Sequence, residues 1–192
     1  MTQKDIAEDI RCAVETLRRG GLILYPTDTI WGIGCDACNE QAVRRVFALK
    51  QRADSKSMLC LVDSADRMQR YARGIPDVAW SLIEYAERPL TLILDGAVNL
   101  APSLVAEDGS VGLRVTREKV SHELCYRFQK AVVSTSANIS GAPAPAIFSE
   151  IDPHIVEGVD YVMRCRQNDT RPSRPSQIVR LRADGEYKVL RP

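Results

Sequence analysis

Histidine is scarce: the 192 residues hold two, His122 and His154. A Ser-His-Asp or Cys-His nucleophilic site needs at least one of them. His122 falls within a predicted helix and His154 follows Asp152-Pro153 in a polar segment, so both read as ordinary surface residues. Charge of one sign is missing too. With 26 Lys+Arg against 25 Asp+Glu the net charge is +1, which predicts neither bulk attraction to polyanions nor repulsion, so any anion site has to be local. No hydrophobic run approaches the roughly 20 residues that cross a bilayer, and the N-terminal MTQKDIAEDIRC is too charged for a secretory segment. The expectation is a cytoplasmic protein without membrane association. Six cysteines without such a segment read as reduced thiols. Cys35 and Cys38 form a CxxC, but a structural zinc site needs four ligands and there is no second CxxC. The patterns GxGxxG, HExxH, DxDxDG and GK[ST] are absent as well.

What is present is a globular composition, 45% hydrophobic and 27% charged, in a chain of the usual length of one domain, so residues 1–192 are expected to form a single unit. Ile6, Ile10, Ala13, Val14 and Leu17 recur at steps of three and four, which predicts a helix over 3–19 stopped by Gly20-Gly21. Leu22–Tyr25 reads as a buried strand ended by Pro26. A helix capped by Asn39 and carrying Ala42, Val43, Val46, Phe47 and Leu49 ends near Lys50, and a strand over Met58–Val62 follows. Ser64 and Pro76 begin two further helices. Strands are expected over 90–94, 111–115 and 131–134, with a helix bearing Val120, Leu124 and Phe128 between the last two. Asp184-Gly185 joins 178–182 to 186–190 as a hairpin. Because hairpins require antiparallel pairs and crossovers favour parallel ones, the fold class is α/β (α+β), a twisted mixed sheet with flanking helices.

Four segments concentrate polar or Gly-rich chemistry where strands end, the usual place for ligands on open α/β sheets. YPTDTIWGIG (25–34) offers two threonines and two glycines, suited either to close approach of a polar ligand or to a capped turn. KQRADSK (50–56) holds three cations after a helix, either a solvated cap or a pair, Lys50 and Arg52, aimed at a polyphosphate. In the strand GLRV, Arg114 requires an anionic partner, from the protein or from a ligand. STSANISG (134–141) carries four hydroxyls, an amide and a glycine, as a phosphate or ribose cradle or a helix cap. Cations and hydroxyls without acid–base residues suit chemistry at phosphate, where positioning and charge stabilisation do most of the work.

In this order and spacing, YPTDTIWGIG, KQR, GLRV and STSANISG resemble the YrdC family over roughly residues 10–182, with the hallmark K-x-R and S-x-N at Lys50, Arg52, Ser136 and Asn138. The resemblance implies a concave, positively charged cavity and a nucleotidyltransferase that joins L-threonine, bicarbonate and ATP, with Mg²⁺, into threonylcarbamoyl-AMP and pyrophosphate. A threonylcarbamoyl transferase complex would then modify adenosine 37 of tRNA. It further implies Lys50 and Arg52 as catalytic residues on the phosphates, Ser136 and Asn138 as further ATP-binding residues, and Thr27, Arg114 and Ser176 on the threonine substrate. Gln177 stands where the family pattern has Thr, which leaves open a paralogue with another acyl substrate. The arginine-rich stretch from Arg164 to Arg174 is either a solvated loop or a contact for tRNA or double-stranded RNA. Two alternatives stay in view: an RNA-binding protein of YrdC type without chemistry, and carbamoyl transfer as in the YrdC-like part of the HypF factors.

Overall fold

The computed structural model describes residues 1–51, 58–171 and 175–192. Helix α1 (Gln3–Arg18) starts with a capping box. Thr2 Oγ1 accepts from Asp5 N at 3.2 Å, and the Asp5 carboxylate accepts from Thr2 N at 2.8 Å. Gly20, at φ +77°, ends it by turning the chain into β1 (Ile23–Tyr25). The loop expected over 25–34 is shorter than its composition suggests, because Gly32–Gly34 forms β2, paired antiparallel with β1 (Ile23↔Gly34).

Helix α2 (Glu40–Leu49) begins at Asn39, whose Oδ1 accepts from Ala42 N, and delivers Lys50 at its C-cap. Strand β3 (Leu59–Val62), the short helices α3 (Ala65–Met68) and α4 (Val78–Glu84), β4 (Leu90–Leu94) and β5 (Val111–Val115) follow the expected order. Next come α5 (Lys119–Phe128) and β6 (Val132–Ser136). The polar segment around His154 holds helix α6 (Pro153–Gly158), capped by Asp152, and leads to β7 (Tyr161–Val162), neither of which has enough apolar periodicity to announce itself. The hairpin β8 (Gln177–Leu181) and β9 (Tyr187–Arg191) ends the chain, with Gly185 at φ +89° in its turn.

The strands form one sheet in the order β7-β1-β2-β6-β3-β5-β4-β8-β9. It is mixed as expected: β1–β7, β3–β5 and β4–β8 run parallel, while β1–β2, β2–β6, β3–β6, β4–β5 and β8–β9 run antiparallel. Strand alternation sends neighbouring residues to opposite cores. Leu24, Cys60 and Val133 meet Val43, Val46 and Phe47 of α2 on one side. Ile23, Leu61 and Val132 meet α1 and α5 on the other, through Val14, Leu17, Leu124 and Phe128. No helix among the described residues is long and apolar enough to cross a membrane.

Candidate active site

Where the starts of β2, β3 and β8 meet the ends of β6 and β9, the sheet leaves a cavity of about 290 Å³. Arg114 from β5, Ser134 and Ser136 from β6, Thr29 from the first loop, Ser176 before β8 and Arg191 from β9 supply its polar wall. Trp31, Met58 and Ile178 supply an apolar one. A mixed wall of this kind holds an orientable polar ligand while limiting water.

Arg114 is 3% exposed, a depth at which a guanidinium needs compensation. Asp28 provides it: Nη2 lies 3.0 Å from Asp28 Oδ1 and 3.4 Å from Thr29 Oγ1. Burial pushes the Arg114 guanidinium down from its usual range, and the Asp28 charge acts against that; burial pushes the Asp28 carboxyl up, and Arg114 acts against that. Arg114 Nε is buried without a hydrogen-bond partner. The anionic partner this arginine requires is therefore a protein carboxylate, paired through charge, since Asp28 Oδ1 is likewise buried without a hydrogen-bond partner.

Lys50 is 1% exposed and reaches across to the end of β6. Its Nζ donates to Ser136 O, to Asn138 O at 2.6 Å and to Asn138 Oδ1 at 3.4 Å, while Lys50 O accepts from Ser140 N at 2.8 Å. Asn138 braces the same loop, its Nδ2 donating to Ile139 O and Ala142 O. Lys50, Ser136 and Asn138, 86 and 88 positions apart in sequence, are thus joined directly, with Ser136 on the cavity wall. Thr27 lies off this wall. Its hydroxyl donates to Ile30 O at 2.7 Å and accepts from Thr29 N at 3.0 Å, so it shapes the loop that presents Thr29 and Trp31. Ser176 Oγ lies 2.8 Å from Thr91 Oγ1 and accepts from Arg191 Nη2 at 3.2 Å. Arg52 lies outside the described residues.

Sequence reasoning missed Arg191, Thr29 and Asp28. Arg191 sits 77 positions after Arg114, and only the antiparallel pairing Ile178↔Arg191 brings it to the cavity. Asp28 and Thr29 were legible as polar loop residues but not as partners of Arg114. Gln177, the departure from the family pattern, faces away: Ser176 and Ile178 line the cavity, and Gln177 lines a groove on the opposite face with Tyr85 and Tyr187. Three arginines of the arginine-rich stretch pair with carboxylates, Arg164 and Arg171 of them at exposed positions. Arg164 lies 3.6 Å from Asp9, Arg166 pairs with Glu118 and Asp169, and Arg171 pairs with Asp169 at 2.6 Å. Arg174 lies outside the described residues. Among the described residues no three His, Cys, Asp or Glu side chains gather as metal ligands, and the cysteines are free thiols.

Among the described residues, fold and cavity define an α/β protein with a nine-stranded mixed sheet and an arginine- and hydroxyl-lined pocket. The family model described as "Telomere recombination", Sua5_yciO_yrdC, matches residues 15–192, and the chain belongs to that family. It is 34% identical over 155 residues to a Threonylcarbamoyl-AMP synthase of Stenotrophomonas maltophilia, covering 79% of this chain and 83% of that one. Among solved structures it is similar to a variant of P. abyssi Sua5, with a TM-score of 0.84 and 26% identity over 95% of this chain. The chain spans 56% of that Sua5's length. P. abyssi Sua5 complexed with L-threonine superposes with a TM-score of 0.76 and 26% identity, over 90% of this chain and 50% of that one.

Proposed function

We propose that this protein is a threonylcarbamoyl-AMP synthase, a nucleotidyltransferase that converts L-threonine, bicarbonate and Mg²⁺-bound ATP into threonylcarbamoyl-AMP, pyrophosphate and water. The observation that carries the proposal is the buried Arg114, with Nε unpartnered, on the wall of a cavity shared with Ser136, Ser176 and Thr29. A carboxylate arriving there meets a desolvated guanidinium, where a charge-assisted hydrogen bond is strongest. The names of the relatives support the same chemistry.

Threonine's amine first combines with bicarbonate to give a carbamate, which attacks the α-phosphorus as pyrophosphate leaves. The carbamate loses carbon dioxide readily, so the apolar wall of Trp31, Met58 and Ile178 serves by limiting water. Ser136 and the loop that Lys50 and Asn138 brace hold the nucleotide phosphates or ribose, and Lys50 and Arg52 lend positive charge as pyrophosphate departs. Mg²⁺ bound with ATP would supply further positive charge on the phosphates, while Arg114, Arg191 and the hydroxyls of the wall would complement the anionic groups of the substrates. Ser176 and Arg114 take the threonine, and Thr27 orders the adjoining loop. The product passes to a threonylcarbamoyl transferase complex acting on tRNA in the cytoplasm. Gln177's outward orientation keeps that departure off the cavity wall, which favours threonine over another acyl substrate.

Incubation with ATP, Mg²⁺, bicarbonate and each amino acid in turn tests the reading. Pyrophosphate and the adenylate are expected with L-threonine and not without it; release that no amino acid stimulates overturns the proposal.

A further inference from the structure

Asp28 lies behind the cavity rather than in it. It is absent from the wall that carries Arg114, Ser136 and Ser176, and instead borders a separate hollow of about 160 Å³ beside Arg117 and Val115. Its Oδ1 stands 3.0 Å from Arg114 Nη2, with 11% of the Asp28 side chain and 3% of the Arg114 side chain exposed. Among the described residues this is the carboxylate in ion-pair contact with Arg114. Nη2 also donates to the Thr29 hydroxyl at the long distance of 3.4 Å, and both Nε and Asp28 Oδ1 are buried without a hydrogen-bond partner, so Asp28 acts on Arg114 through its charge.

A guanidinium on a flexible stem presents its donors usefully only when one edge is held. Here the Asp28 charge stands against one edge of the guanidinium while Arg114 itself lines the cavity, an arrangement that orients a planar fork for an incoming carboxylate. We propose that Asp28 is a positioning residue, whose charge fixes Arg114 from off the cavity wall so that the guanidinium meets the carboxylate of the amino-acid substrate. This rests on the synthase reading above, and assigns to the first loop a role in amino-acid affinity that does not involve touching the substrate.

The test measures kcat and the KM values for L-threonine and ATP in wild type, Asp28→Asn and Asp28→Glu, with melting temperatures alongside. Asp28→Asn keeps the shape and removes the charge; the L-threonine KM is expected to rise by about tenfold or more, the scale of one misaligned charge-assisted hydrogen bond, with the ATP KM within about twofold. Asp28→Glu keeps the charge and moves it by one methylene, and a smaller rise of about threefold in the same KM is expected. If the Asn variant does not fold, the Glu variant decides alone. An unchanged or lowered L-threonine KM overturns the proposal, as does a parallel rise in both KM values. A purely structural role would lower the melting temperature and kcat without moving the L-threonine KM. Wild-type enzyme that releases no pyrophosphate with L-threonine overturns the synthase reading itself, whereas active wild type with indifferent variants overturns the positioning role alone.

Discussion

Buried charge is handled in this protein by pairing each deep cation with named oxygens, and the pairs differ in purpose. Arg114 lines the cavity, whereas Arg67 is closed off. Its Nε and Nη2 donate to the two Asp63 carboxylate oxygens at 2.8 and 3.2 Å, and Nη1 donates to Gln129 O at 3.0 Å. Burial pushes the Asp63 carboxyl up, but the Arg67 hydrogen bonds and charge outweigh it, so the group sits below its ordinary value of 3.8. A depressed carboxyl stabilises the fold above its unfolded value, and that contribution fades as pH falls through the folded one. Asp63→Asn should therefore cost about 3 kcal/mol at neutral pH, because it strands a buried guanidinium. Melting temperatures across pH should show the gap from wild type narrowing below about pH 4; a gap that stays constant with pH refutes this account. At this scale the sequence announced Arg114, since an arginine inside an apolar strand demands an anion. Lys50 was legible by motif, but nothing in KQR reveals that its ammonium would lie buried against Ser136 and Asn138.

Elements with strong periodicity were legible in the sequence. Helix α1 was expected over 3–19 and runs Gln3–Arg18, and α2 begins at the anticipated Asn39 cap. The hairpin turns at Asp184-Gly185, because the positive φ of Gly185 is cheap for glycine. Strand β2 was not legible: Gly-Ile-Gly offers one apolar side chain, and its reason for being a strand lies in its neighbours. A Cβ on Gly34 would lie 2.7 Å from Tyr25 Cε1 and 3.0 Å from Val133 O, so glycine is what lets β2 lie flat between β1 and β6. Gly34→Ala should destabilise the protein by about 1–3 kcal/mol through overpacking. It should also lower catalytic activity, since β2 begins at the cavity-lining Gly32. Chemical denaturation gives the first number, and a midpoint equal to wild type would rule the crowding out.

Taken as a whole, the molecule hides its working charge in a near-neutral total. A net charge of +1 coexists with Arg114 and Arg191 converging on one cavity, while Arg164, Arg166 and Arg171 are set against Asp9, Glu118 and Asp169. L-threonine supplied at about 100 times its dissociation constant in the presence of ATP should add about 2.7 kcal/mol of stability over ATP alone, which raises the melting temperature by roughly 5–10 °C in a domain of this size. A scan in ATP with and without L-threonine measures the rise. Stabilisation by RNA that disappears with added salt, with no response to the substrates, would favour the RNA-binding alternative instead. Most of the helices and strands and the residue types of the site were legible in the sequence alone, because apolar periodicity and strand-end polarity are local properties. Only the tertiary structure decided which of those residues meet. The order β2-β6-β3-β5-β4-β8-β9 brings positions 29 to 191 around one cavity, and turns Ser176 toward it and Gln177 away. Strand pairing between distant segments is set by how the two cores close over the sheet, and no local pattern encodes that.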